Sequence, residues 1–261
     1  MWMIRDEIKE IIDSKSILKS LVVKNLIGHY RNSILGFSWN FIIPIMMMII
    51  YYVVFTEIRQ NAMPDFWIFI SSAIFPFSFM VSNLTNGCGC IISNGSLIKK
   101  VYFPRAIVVL AQVISSFIIL LIGLSLVIVA IIITGYPINF SIGMLPIIIL
   151  LMLAFTIGYT LALSAITVYV RDIQYFLSSM SVAFFFVTPM YFMAEEATGL
   201  LQTIIWLNPF TYFIEPIHQI VYSGSMPNAI IVVVCVILSI ASMTLGCIIF
   251  KKLEKGFVER L

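Results

Sequence analysis

The sequence predicts an all-α integral membrane protein: six transmembrane helices, an N-terminal amphipathic interface helix, and a re-entrant helix pair between the fifth and sixth spans. Three observations predict this. Of 261 residues, 61% are hydrophobic and 10% charged, with a mean hydropathy of +1.09, where a soluble domain carries about 25% charged residues. Six uncharged runs are each long enough to cross the ~30 Å hydrocarbon core as a helix. Fourteen of the fifteen Lys and Arg residues fall on one side of the topology those runs define.

In chain order, residues 1–33 form a charged lead-in. Within it, 4–27 is amphipathic: Ile4, Ile8, Ile11, Ile12, Leu18, Leu21 and Val22 recur at three- and four-residue steps, opposite Lys9, Asp13 and Lys19. That pattern fits a helix lying in the membrane interface, and a helix packed on a partner is the competing account. The lead-in lacks the apolar core of a secretory signal, so no cleavage is expected. The apolar runs cover about 34–56, 66–92, 106–134, 144–170, 173–193 and 228–250, giving a membrane domain over 34–250 and a tail over 251–261. Pro44, Pro76, Pro146 and Pro189 lie inside them and are tolerable in membrane helices. The connection from 194 to 227, with the segment 197–222 as its expected re-entrant part, is long and mostly apolar but interrupted at Asn208-Pro209 and Glu215-Pro216. It is too broken to span, so it is expected to dip into the outer leaflet as two short helices or to rest on the surface as a cap.

Orientation follows from the placement of Lys and Arg. The N-terminal segment, the 94–105 connection, the turn at Arg171 and the C-terminal tail hold all but Arg59. Both termini and loop 94–105 are therefore expected in the cytoplasm, with the chain multi-pass in the plasma membrane.

Several chemistries are disfavoured. The six runs hold no Asp, Glu, Lys, Arg or His, which argues against ion-driven transport and against an intramembrane enzyme, although sodium sites built from backbone and hydroxyl oxygens stay open. No phosphate-binding Gly-x-x-x-x-Gly-Lys-Ser/Thr loop occurs, so the chain is not assigned ATP hydrolysis. No catalytic residue and no metal ligand is assigned: Cys88-Gly89-Cys90 lacks zinc spacing, and His29 and His218 read as isolated interfacial residues. No basic patch interleaved with aromatics points to nucleic acid.

What remains is a pathway powered by another protein. At 100° per residue, Phe37, Phe41, Pro44, Met48, Tyr51 and Phe55 fall on one stripe of the first run. Gln174, Ser178, Ser181, Phe185, Thr188 and Phe192 do so on the fifth. Aromatic faces stack on the apolar side of sugar rings while hydroxyls and amides hydrogen-bond, so both stripes are candidates to line a sugar passage. Helix–helix packing is the alternative for each.

Four segments in order resemble the membrane subunit of ABC-2-type polysaccharide exporters, the carriers of O-antigen, capsular polysaccharide or teichoic acid. Arg31-Asn32-Ser33-Ile34-Leu35-Gly36-Phe37-Ser38-Trp39 is similar to that family's approach to the first span. Leu97-Ile98-Lys99-Lys100-Val101-Tyr102-Phe103-Pro104-Arg105 is similar to its cytoplasmic loop, Val170-Arg171-Asp172-Ile173 to its turn, and Leu207-Asn208-Pro209-Phe210 to its outer segment. The resemblance implies a homodimer bound to two copies of a nucleotide-binding ATPase, which would hold ATP and Mg, with no cofactor in this chain. It implies that loop 94–105 couples to the ATPase through Leu97, Lys99, Lys100, Tyr102, Phe103, Pro104 and Arg105, with Tyr102 and Phe103 as anchors. It also implies an outer gate at Asn208, Pro209 and Glu215, a lipid-linked polysaccharide as substrate, and contact with membrane lipid. Export of a drug or small lipid is the nearest alternative. An integral glycosyl- or acyltransferase, or an ion-coupled flippase, would come from another class.

Overall fold

The computed structural model describes residues 14–28, 34–58, 64–137 and 139–261, except the side chains at 51, 55, 56 and 58. Residues 4–13 of the expected interface helix, His29, Arg59 and the side chains of Tyr51 and Phe55 therefore lie outside the description. The described regular structure is entirely helical: α1 (Lys15–Gly28), α2 (Trp39–Ile58), α3 (Phe66–Thr85), α4 (Cys90–Ser93), α5 (Gly95–Lys100), α6 (Ala106–Ile133), α7 (Leu145–Tyr169), α8 (Asp172–Val187), α9 (Gly199–Leu207), α10 (Thr211–Val221), α11 (Ala229–Leu253) and α12 (Phe257–Arg260). Short 3₁₀ turns at Gly36–Ser38, Phe140–Met144, Ala194–Glu196 and Glu254–Gly256 join some of them.

Five helices, α2, α3, α6, α7 and α11, are long and apolar enough to cross a membrane. The fifth expected run is shorter than its composition suggested: α8 has 16 residues, about 24 Å of helix. It stops because the ring of Pro189 disfavours helical geometry at the residue before it, and Thr188 is extended at φ −86°, ψ 132°. The second run also breaks, at Asn86–Gly89, before the single turn of α4. Gly87 packs so tightly that a β-carbon there would collide with the Asn83 carbonyl and the Thr160 side chain.

Small and hydroxyl residues set the helix contacts, as expected where lipid is as apolar as leucine. A β-carbon at Gly246 of α11 would strike the Gly158 carbonyl of α7. Ser239 and Ser242 of α11 donate to the Leu151 and Phe155 carbonyls of α7, each at 2.8 Å. Asn83 of α3 donates to Ser116 of α6 at 2.8 Å, and Tyr159 of α7 to the Met80 carbonyl at 2.6 Å. The main apolar core joins α3, α6, α7, α10 and α11. A second core lies at one end, around Leu21, Ile98, Phe103, Ile107, Phe250 and Phe257. That end carries all eleven described Lys and Arg residues. The opposite end carries Glu57, Asp65, Glu195, Glu196 and Glu215.

Candidate coupling loop and outer helix pair

Loop 94–105 folds as the six-residue helix α5 followed by an extended segment. Asn94 anchors its start. The Asn94 side chain donates to the Cys90 carbonyl at 2.8 Å and accepts from Lys24 of α1, also at 2.8 Å. Gly95 and Ile98 face inward, and Gly95 lies against Leu261. Helicity ends at Val101, a β-branched residue in extended geometry at φ −127°, ψ 133°. The Pro104 carbonyl then accepts from Ile107 N–H to begin α6.

The two aromatics of the loop separate completely. Tyr102 is 99% exposed, whereas Phe103 is 7% exposed inside the basic-end core. Lys99 and Lys100 are exposed, Leu97 and Pro104 are half-buried, and half-buried Arg105 donates to the Glu254 carbonyl. Between inward Ile98 and Phe103, the consecutive residues Lys99, Lys100, Val101 and Tyr102 thus form a displayed surface on a locked inner face. An apolar groove of about 430 Å³ separates α1 from the loop, with Ile17, Ser20, Lys24, Leu97 and Val101 among its walls.

Sequence reasoning missed what stands behind the loop. The tail folds back: Phe257 is fully buried, Leu261 touches Gly95, Tyr169 donates to the Leu253 carbonyl at 2.8 Å, and Arg260 sits 5.5 Å from the Tyr169 ring centre. The signal was there, in the spacing of Leu253, Phe257 and Leu261 at four-residue steps within a charged tail.

At the other end, Asn208-Pro209 forms the turn between α9 and α10. Asn208 is buried, its side chain donating to Thr188 Oγ1 at 2.8 Å and accepting from Phe210 N–H at 3.0 Å. Thr211 closes the turn by donating to the Ile205 carbonyl at 2.7 Å. Pro209 is half-buried and Glu215 is buried beside Gln219. Burial pushes the Glu215 carboxyl above its usual range, only partly offset by the Gln219 hydrogen bond. His218, expected at the interface, is instead 3% exposed, with its ring 3.8 Å from that of Phe69.

The two stripes have different surroundings. Phe37 and Phe41 pair edge to face at 5.5 Å. Gln174 and Ser178 are exposed and Ser181 half-buried, both serine hydroxyls donating to their own helix. Phe185 packs on Phe77 and Tyr191. Thr188 and Phe192 lie beyond the end of α8, so they do not continue its stripe as the sequence led one to expect: Thr188 is enclosed with Asn208, and half-buried Phe192 lies against the Ala194, Ala197 and Ile205 cluster.

A bundle of apolar helices joined by close small-residue contacts, with a basic helical loop at one end and a broken helix pair at the other, is the membrane domain of a transporter. The model of the ABC-2 type transporter family matches residues 17–222, and the chain belongs to that family. Among individual proteins it is similar to the O-antigen export system permease protein RfbA of Myxococcus xanthus, 26% identical over 259 residues, which cover 97% of this chain and 98% of that one. Two O-antigen export system permease proteins RfbA of Klebsiella pneumoniae are each 26% identical over 246 residues, 94% of this chain and 95% of theirs.

Proposed function

We propose that this chain is the transmembrane permease subunit of an ATP-driven exporter that moves a lipid-linked polysaccharide of the O-antigen class across the bacterial plasma membrane. Two copies pair, and each seats its 94–105 loop on one of two ATPase subunits that hold the ATP and Mg. The observation that carries the reading is the outward set of Lys99, Lys100 and Tyr102 on a loop locked from behind. An exposed aromatic flanked by cations suits a partner cleft, the aromatic anchoring and the charges steering. Full-length similarity to O-antigen permeases supplies the substrate class.

In this reading the basic end, with both termini, faces the cytoplasm. The short helix α8 is the fifth of six spans, and α9 and α10 are the re-entrant pair. The bond from Asn208 to Thr188 ties that pair to the end of α8, which suits Asn208, Pro209 and Glu215 to gating. The exposed face of Gln174 and Ser178 on α8, with Ser181 and Phe185 and with Thr188 and Phe192 in the segment that follows it, lines a passage with Phe37 of the 3₁₀ turn and Phe41, Tyr51 and Phe55 of α2. Movement of the ATPase pair is transmitted through the loop, and no covalent bond is made or broken in this chain.

The test is co-purification of tagged permease with the ATPase encoded beside it. Changing Lys99, Lys100 and Tyr102 together to Ala is expected to release the ATPase while leaving permease stability within about 0.5 kcal/mol, as for exposed sites. Phe103→Ala is expected to act differently, costing about 3–5 kcal/mol of stability by emptying a core site. An ATPase that never binds wild type, or that binds the triple variant equally well, overturns the coupling role.

A further inference from the structure

The six-residue helix α5 is too short to hold its shape alone, since isolated helices below about 12–15 residues are marginal in water. Its rigidity comes from what it rests on. At its start, Asn94 is bonded to Lys24 of α1 and to the Cys90 carbonyl. Other supports come from the tail. A β-carbon built on Gly95 would stand 3.4 Å from Leu261 Cδ2 and 3.6 Å from Leu261 Cβ. Phe257 is fully buried in the same apolar cluster as Ile98 and Phe103, its ring edge to face with that of Phe250 at 5.5 Å. At the far end of the loop, the Arg105 guanidinium donates to the Glu254 carbonyl. Glu254 caps the C-terminus of α11, the negative end of its dipole, where a cation is favoured.

The other side of the tail is fastened to α7. Tyr169, the last residue of α7, donates to the Leu253 carbonyl at 2.8 Å, and its ring centre lies 5.5 Å from the Arg260 guanidinium. A β-carbon on Gly256 would collide with the Tyr169 hydroxyl. Only Val170 and Arg171 separate Tyr169 from α8, the helix that exposes Gln174 and Ser178. The tail therefore has two faces in contact, one on the basic loop and one on the residue that leads into the α8 turn. A close-packed interior yields little when pushed, so displacement at one contact is passed to the other.

We propose that the tail at 253–261 is a transmission link that moves as one body with loop 94–105 and carries its movement to the passage-lining helix α8. Phe257 and Leu261 are positioning residues on the loop side, and Gly256 and Tyr169 on the α8 side. The link rests on the coupling role proposed above and gives that role a route into the membrane besides the direct one through α6.

The test uses cells and membranes carrying the full permease–ATPase complex. The readout is polysaccharide delivered to the cell surface per ATP hydrolysed, with co-purified ATPase measured alongside. Gly256→Val drives Tyr169 off the tail without touching the loop. It is expected to keep the ATPase bound and hydrolysing while export per ATP falls about 2–30-fold, the span of coupling changes from single substitutions along a physical network. Phe257→Ala is expected to do the same, and Phe257→Leu, which keeps an apolar side chain there, to restore most of the ratio. A purely structural role would instead lower the amount of complex and both activities together. The second arm joins Gly95→Cys to Leu261→Cys, whose β-carbons at 3.6 Å suit a disulfide (~3.5–4.5 Å). Closing it with copper phenanthroline, with each single-cysteine variant as control, is expected to leave export per ATP as in the reduced protein. No cross-link, or export that stops on cross-linking and returns with dithiothreitol, overturns the single body. Unchanged export per ATP in both Gly256→Val and Phe257→Ala, or losses in both that only follow the amount of complex, overturn the link. An ATPase that never binds wild type removes the coupling reading itself, whereas a wild-type complex that exports beside indifferent variants removes the link alone.

Discussion

Helices α2 and α3 have the same length, 20 residues, and each contains one proline, Pro44 and Pro76. Both are apolar enough to span a membrane. Yet fifteen residues of α3 are buried within the protein, and none of the described residues of α2 is. Hydropathy does not separate them. What does is the small and polar content of α3: Ser71, Ser72 and Asn83 are buried and hydrogen-bonded, while α2 presents Met46, Met47, Ile49, Ile50 and Val53 outward. Where lipid is as apolar as leucine, hydrophobicity gives a helix no reason to leave it, and packing and polar contacts decide which helix is enclosed.

The comparison breaks most severely at Gly123 of α6, whose absent side chain makes room for the ring of Phe75 on α3. Gly123→Leu is expected to prevent α3 from docking, read as loss of a monodisperse peak in detergent; a well-folded variant would mean that α3 is not held as described. Next comes Asn83→Leu, which removes the bond to Ser116. A loss of about 1–2 kcal/mol is expected by thermal unfolding, and no loss would assign the docking of α3 to shape alone. On α2, Ile49→Ala and Met46→Ala should shift stability of the single chain by less than about 0.5 kcal/mol. A lipid-soluble maleimide should react readily with cysteine placed at Ile49 and barely with cysteine at Ile70, and equal labelling would erase the distinction between the helices. The smallest effect concerns Glu215 on α10, outside the candidate spans. Its pKa is raised on folding by burial, so its contribution to stability is full below the unfolded value near 4.5 and is lost as pH rises through the folded value. Glu215→Gln lacks that loss, and its unfolding temperature relative to wild type should rise between pH 4 and pH 8.

Much of the fold was legible because membrane helices announce themselves by length. The spans at 106–134, 144–170 and 228–250 match α6, α7 and α11 to within a few residues. The two misjudged runs failed for different reasons, one local and one long-range. Pro189 ends α8 by acting on Thr188, and Gly87 breaks the second run because the chain there presses against Thr160, a contact 73 positions away in sequence. Loop 94–105 was legible as a basic segment, but not which of its residues point out. Tyr102 and Phe103 are chemically alike neighbours, and only the docking of α1 and the tail sends one to solvent and the other inward. His218 was unreadable for the same reason, since its enclosure depends on Phe69, brought to it from α3.

Helix α11 begins at Asn228, whose N–H is held by Gln219 of α10, and ends where the Glu254 carbonyl takes the Arg105 guanidinium behind the loop. Its 25 residues make a rod about 37 Å long. The close seating of Gly246 on Gly158 and the bonds from Ser239 and Ser242 to the Leu151 and Phe155 carbonyls fasten that rod to α7 over about two turns of its basic half. One continuous helix therefore joins the wall of the outer helix pair to the back of the basic loop.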